Sequence, residues 1–263
     1  MHVHIEKNFE IEKESIKNPV VLIGWPGIAH VAKLAITSII ESLDAKEFLK
    51  IQYFDLSPKA IVEKGTLEIP TAIVFYKKKE KVEGNDFFIL TASSQPQTPE
   101  GIFEFSKIFC EEMDKITGGN IEMYVSTGAM ISDRIHDDPL VYVSGTDQDL
   151  VQSFLTFDNT TLHESGYISG ANGIIPAYAG SNNYAPGICL LAETVPLPMM
   201  TLDPRSSKAL VSLLIDYFSL EMDFSKLNEK IEEMEQVFES FKKQADQFLS
   251  PPQDDKGTDS YFR

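Results

Sequence analysis

The stretch that most constrains this chain is Pro19-Val20-Val21-Leu22-Ile23-Gly24, which runs through Trp25-Pro26-Gly27 into an apolar segment over residues 28–43. Five successive apolar residues fit a strand buried on both faces, and both faces are covered only when crossover helices lie above and below a parallel sheet. A Pro/Gly turn leading into a helix that is apolar around most of its surface is how such a sheet begins. Further strands are expected over residues 51–56, 71–76, 87–91, 121–126, 140–143 and 187–192. Lys64-Gly65 and Glu83-Gly84-Asn85 read as hairpin turns, so the sheet is mixed, mainly parallel and flanked by helices. Residues 100–116 place Ile102, Phe105, Ile108, Phe109 and Met113 on one helical face and end at Gly118-Gly119, a C-cap. Asp203-Pro204 supplies an N-cap and a first-turn proline for a helix that closes the α/β domain near residue 220.

Past residue 220 the composition changes. Residues 225–249 hold no Gly or Pro, and Leu227, Ile231, Met234, Phe238, Phe241, Ala245 and Phe248 recur at alternating spacings of four and three. This heptad seam lasts about three repeats, the lower limit for a coiled coil, on a helical arm of roughly 35 Å. The pattern fits equally an arm packed on its own domain and one packed on a second helix, of the same oligomer or of a partner. Residues 250–260 carry no apolar side chain and read as a flexible linker. The chain then ends in Tyr261-Phe262-Arg263, two adjacent rings on a polar tether, the form of a peptide that anchors in a pocket of another protein. The organisation is therefore an α/β domain over 1–220, an arm over 221–249 and a docking tail over 250–263.

Charge narrows the partners. Forty acidic residues against 23 basic give a net charge of −17, which repels nucleic acid and anionic membranes. The arginines are Arg134, Arg205 and Arg263, few for a protein that grips phosphates. Cys110 and Cys189 fit no disulfide framework or metal spacing and read as buried thiols. With no basic-apolar leader in Met1–Glu6 and no long apolar run, the expected setting is cytoplasmic.

Chemistry-bearing constellations are sparse. Gly24-Trp25-Pro26-Gly27 sits where an α/β protein holds anions, yet it is neither a GxGxxG nor a Walker loop. It forms a possible ligand loop together with Gly170, Asn172 and Gly173 of the glycine-dense segment Gly166-Tyr167-Ile168-Ser169-Gly170-Ala171-Asn172-Gly173. Each half also fits tight packing of backbone on backbone. His2 and His4 alternate on a possible first strand, His136-Asp137-Asp138 and His163-Glu164 place imidazole beside carboxylate, and Ser126-Thr127-Gly128 follows a strand without the leading glycine of a nucleophile elbow. None forms a catalytic or metal-binding set, and no cofactor motif stands out. The expectation is a non-enzymatic protein. The alternatives are an enzyme acting on a nucleoside-like molecule in a cleft between the two glycine segments, or a self-assembling scaffold.

Taken in order, the strand–Gly24-Trp25-Pro26-Gly27-Ile28–helix opening, Ile168-Ser169-Gly170-Ala171-Asn172-Gly173-Ile174, Leu191-Ala192-Glu193-Thr194, the Asp203-Pro204 helix and Asp223-Phe224-Ser225-Lys226-Leu227 resemble the proteasome assembly chaperone 2 family, in its archaeal and bacterial branch. The resemblance spans residues 15–245. It implies an architecture similar to nucleoside phosphorylases, homo-oligomers, and action on the 20S proteasome as assembly chaperone or ATP-independent activator. It also gives the tail a role. Tyr261, Phe262 and Arg263 look like the activator motif of a hydrophobic residue, a tyrosine and any residue, which inserts between α-ring subunits, with phenylalanine in the tyrosine place.

Overall fold

The computed structural model describes residues 3–56, 59–79, 84–133, 138–195 and 201–249, with side chains up to residue 237 (that of Glu63 excepted). Eleven strands and six α-helices are described. The strands are β1 (Val3–Lys7), β2 (Val20–Gly24), β3 (Lys46–Tyr53), β4 (Ile61–Glu63), β5 (Thr66–Glu68), β6 (Thr71–Lys77), β7 (Phe87–Ala92), β8 (Met123–Ile131), β9 (Val141–Gly145), β10 (Thr160–Leu162) and β11 (Gly187–Thr194). The helices are α1 (Val31–Ser42), α2 (Pro99–Thr117), α3 (Gln148–Phe154), α4 (Ala171–Ser181), α5 (Pro204–Phe218) and α6 (Ser225–Leu249).

Nine strands form one sheet in the order β1-β3-β6-β7-β2-β8-β11-β9-β10. The four central strands, β7, β2, β8 and β11, are mutually parallel. β1, β3 and β6 extend the sheet antiparallel on one flank, and β9 is antiparallel to β11 on the other. Burial follows topology: every residue of β2, β7 and β11 is buried, whereas β6 alternates between buried and half-exposed positions. Between β3 and β6 the chain makes a separate two-stranded hairpin, β4–β5, turning at Lys64 and Gly65, both with positive φ.

Helices cover both faces. Val21 and Ile23 of β2 point into a core with α2 and α4, while Val20 and Leu22 point into a core with α1, α5 and the start of α6. The caps form as the sequence indicates. Asp203 accepts hydrogen bonds from the amides of Arg205 and Ser206, each 3.1 Å, and Gly118 takes the left-handed conformation at the end of α2. Gly24 is required where α1 crosses the end of β2: a Cβ there would lie 2.4 Å from Ile36 Cγ1 and 2.6 Å from the Ala32 carbonyl oxygen.

Three features differ from the sequence reading. β3 begins at Lys46 and ends at Tyr53, earlier than the strand expected over 51–56, because its register is set by pairing with both β1 and β6. The glycine-dense segment opens α4 despite Gly173 and Pro176 within it, since Ala171, Ile175 and Ala179 bury one face against the sheet. α3 and β10 are short and carry no distinct sequence signal. Among the described residues no helix is long and apolar enough to cross a membrane.

Both thiols are buried, Cys110 in α2 and Cys189 in β11. Burial pushes Cys110 up to about 12 and Cys189 up to about 11, so the reactive thiolate is scarce near neutral pH. Neither cysteine of the folded protein is expected to react with an aromatic disulfide reagent at pH 8 within minutes, and both should react in denaturant. A rapid native equivalent would contradict the buried placement.

Candidate functional site

The chain leaves β2 to one face of the sheet and β7 to the other, so the carboxyl ends of these strands frame the switch point at which open α/β sheets hold ligands. The two glycine segments, which the sequence offers as a possible ligand loop or as tight backbone packing, lie against each other here. The Trp25 amide donates to Asn172 Oδ1 at 3.1 Å. Gln95, on the loop after β7, bridges them: its Nε2 donates to the Pro26 carbonyl at 2.7 Å, and its Oε1 accepts from the Ala171 amide at 3.0 Å. Gly170 has φ 81°, and a Cβ there would press on Gln95 Oε1 at 2.7 Å. Thr91 Oγ1 donates to the Gly24 carbonyl at 2.8 Å, and Thr127 Oγ1 to that of Ile23 at 3.0 Å. Ser126, from the segment compared with a nucleophile elbow, is fully buried and donates to the Asn172 carbonyl.

The amides of Trp25 and Ala171, placed where an anion would sit, are thus spent on Asn172 and Gln95. Trp25 itself is fully buried, edge-on to Phe105 at 5.1 Å and to Tyr53 at 6.1 Å between centroids. At the start of α1, the Asp203 amide donates to the Ala29 carbonyl at 2.9 Å and Ser207 Oγ to that of Val31 at 3.0 Å, which ties α5 to α1. The arrangement locks strands, α4 and two loops together. Replacing Asn172 with alanine leaves the buried Trp25 amide without its acceptor and is expected to cost about 1–3 kcal/mol in urea unfolding. A variant as stable as the parent would show the junction to be dispensable.

The arm starts in contact with its own domain. Leu227 is buried in the core shared with α1 and α5, and Ile231 and Met234 are half-buried. Lys226 pairs with Glu41 at 2.9 Å on the surface, and Lys208 of α5 donates to Asn228 at 2.9 Å. Further along, Ile231 and Glu235 line an open hollow of about 670 Å³ with Asp138, Arg205 and Lys208, where Arg205 Nε is buried with no hydrogen-bond partner among the described residues. The side chains of Phe238, Phe241, Ala245 and Phe248 lie outside the described residues, as do Tyr261, Phe262 and Arg263.

The model of the PAC2 family matches residues 21–242 of this chain. The chain belongs to the PAC2 family. A protein of Methanocaldococcus jannaschii of uncharacterised function is 28% identical over 244 residues, covering 91% of this PAC2 chain and 89% of the relative. Among solved structures, Pyrococcus furiosus PbaB, described as an archaeal proteasome activator, is 23% identical and superposes with a TM-score of 0.82 over 91% of this chain and 98% of its own. P. furiosus PbaA, described as an archaeal homolog of proteasome-assembly chaperone, is 19% identical with a TM-score of 0.72 over 93% of each chain. At these identities the two structures establish the PAC2 fold.

Other chemistry-bearing residues are dispersed in this PAC2 chain. His4 is in β1 at the sheet edge, while His2 and His136-Asp137 lie outside the described residues. His163 and Glu164 line a hollow of about 390 Å³ between β9, β11 and α4, with the His163 ring edge-on to Tyr142 at 6.3 Å. Among the described residues no three His, Cys, Asp or Glu side chains are grouped to hold a metal ion. Gln95 is the residue of the switch point that sequence reasoning missed. It lies in a polar loop 76 positions from its partner Ala171, and nothing local marks it.

Proposed function

We propose that this chain is a proteasome-binding protein, an assembly chaperone or ATP-independent activator of the 20S particle, which docks its C-terminal tail between subunits of the α-ring. The observation that carries this reading is the family membership, over residues 21–242, together with a near full-length likeness to PbaB. The tail supports it. An 11-residue linker has an r.m.s. reach of about 17–20 Å, enough for the terminal rings to search a pocket some distance from the domain. Tyr261 and Phe262 fill an apolar cleft there, and the α-carboxylate of Arg263 pairs with a lysine of the ring. Phe262 keeps the ring of the motif's tyrosine but lacks a hydroxyl hydrogen bond of about 0.5–1.5 kcal/mol, so each single contact is weak. Several tails from one homo-oligomer engaging a symmetric ring gain avidity from effective concentration instead.

The nucleoside-like alternative draws no support from the switch point, where the Trp25 and Ala171 amides are already bonded to protein. Co-migration of the full chain with purified 20S particles and with α-ring intermediates tests the reading. Hydrolysis of a fluorogenic peptide without ATP then separates activator from chaperone. A chain that binds neither the particle nor its α-ring intermediates is not a proteasome-binding protein.

A further inference from the structure

The β4–β5 hairpin stands apart from the nine-stranded sheet as a two-stranded unit. Its register sets Val62 opposite Leu67. Strand alternation places Ile69 on the side of Leu67. These residues are 68%, 72% and 55% exposed, and Phe54, just past the end of β3, is 59% exposed. Four of the 13 large apolar residues exposed among the described residues therefore fall within residues 54–69. A lone two-stranded hairpin is marginal in water, and both outer edges of this one offer main-chain groups with no strand partner among the described residues.

Charge indicates what covers it. Residues 53–70 hold Asp55, Glu63 and Glu68 against Lys59 and Lys64, a net charge of −1 in a chain of −17. A basic partner would be drawn to the acidic remainder of the surface. Two copies of the same acidic chain repel one another least where the local charge is near zero. Area agrees: Phe54, Val62, Leu67 and Ile69 leave roughly 400–500 Å² of apolar surface per copy, so mutual burial in two copies removes about 800–1,000 Å², close to the 1,000 Å² expected of a specific interface.

We propose that the hairpin is a self-association site, its Val62–Leu67–Ile69 face packing on the same face of a second copy about a two-fold axis. The inference does not rest on the proteasome reading, and its test uses no proteasome. Leu67→Glu in the full chain sets two like charges against each other across the axis, at an exposed position where the fold tolerates it. Sedimentation velocity over a concentration series should show the particle mass falling by about half, as loss of one two-fold contact requires, with the far-UV circular dichroism of the folded chain unchanged. Leu67→Lys should behave alike, and mixing the two variants should restore the parent mass by pairing Glu with Lys. A parent chain that is monomeric, a Leu67→Glu variant of parent mass, or a mixture that stays dissociated would each overturn the proposal.

Discussion

Removal of Tyr261, Phe262 and Arg263 is expected to weaken binding to the 20S particle at least about 100-fold, the lower end of what multivalency contributes when several tethered contacts act together. In the proposed homo-oligomer the loss exceeds that of any one contact, because every subunit would lose its tail at once. The unfolding temperature should not move, since the buried members of both cores among the described residues fall between Ile16 and Leu227. Phe262→Tyr should act the opposite way, because the restored hydroxyl adds about 0.5–1.5 kcal/mol at each occupied pocket. Surface-captured 20S particles titrated with parent, truncated and Phe262→Tyr chains give the comparison. Equal affinities for parent and truncated chains would remove the tail from the account.

The largest expected effect on stability is that of Trp25→Ala, about 3–5 kcal/mol. Trp25 is fully buried at the start of the β2–α1 turn, with Phe105 and Tyr53 edge-on to it and Phe109 stacked at 6.1 Å beyond Phe105. Truncation opens a large cavity beneath α2 and strips these rings of their shared contacts. At about 2–4 °C per kcal/mol for a domain of this size, the melting temperature should fall by roughly 6–20 °C. Trp25 Nε1 is buried with no hydrogen-bond partner among the described residues, so Trp25→Phe removes an orphan donor while keeping a ring. It should cost clearly less than Trp25→Ala. Urea unfolding followed by circular dichroism measures both, and an alanine variant within 1 kcal/mol of the parent would contradict the packing described.

These two predictions fall on residues whose signals in the sequence were of different kinds. Trp25 sits between a buried strand and a buried helix, and such elements announce themselves: β2, β7 and β11 are continuous apolar runs because helices cover both of their faces. Asp203-Pro204 was equally legible, since capping is decided within one turn of chain. α4 was not, because its glycines and Pro176 oppose helix formation locally and only burial of Ala171, Ile175 and Ala179 compensates. The meeting of Gly24–Gly27 with Gly170–Gly173 entered the sequence analysis only as a possible ligand loop, and the bonds that hold the two together have no local signal. Asn172 and Gln95 bind the two segments to each other, a long-range pairing without a local pattern. The seam likewise repeats evenly along the sequence, yet Leu227 belongs to the domain's own core, because the loop after α5 returns α6 onto α5 and α1.

The claim that a tethered terminal peptide, multiplied by the assembly, recognises the proteasome is tested most directly by negative-stain imaging of 20S particles mixed with full-length or truncated chain. The account predicts axial caps on the α-rings with the full chain and bare rings once residues 261–263 are gone. Caps of equal occupancy in both samples would contradict it.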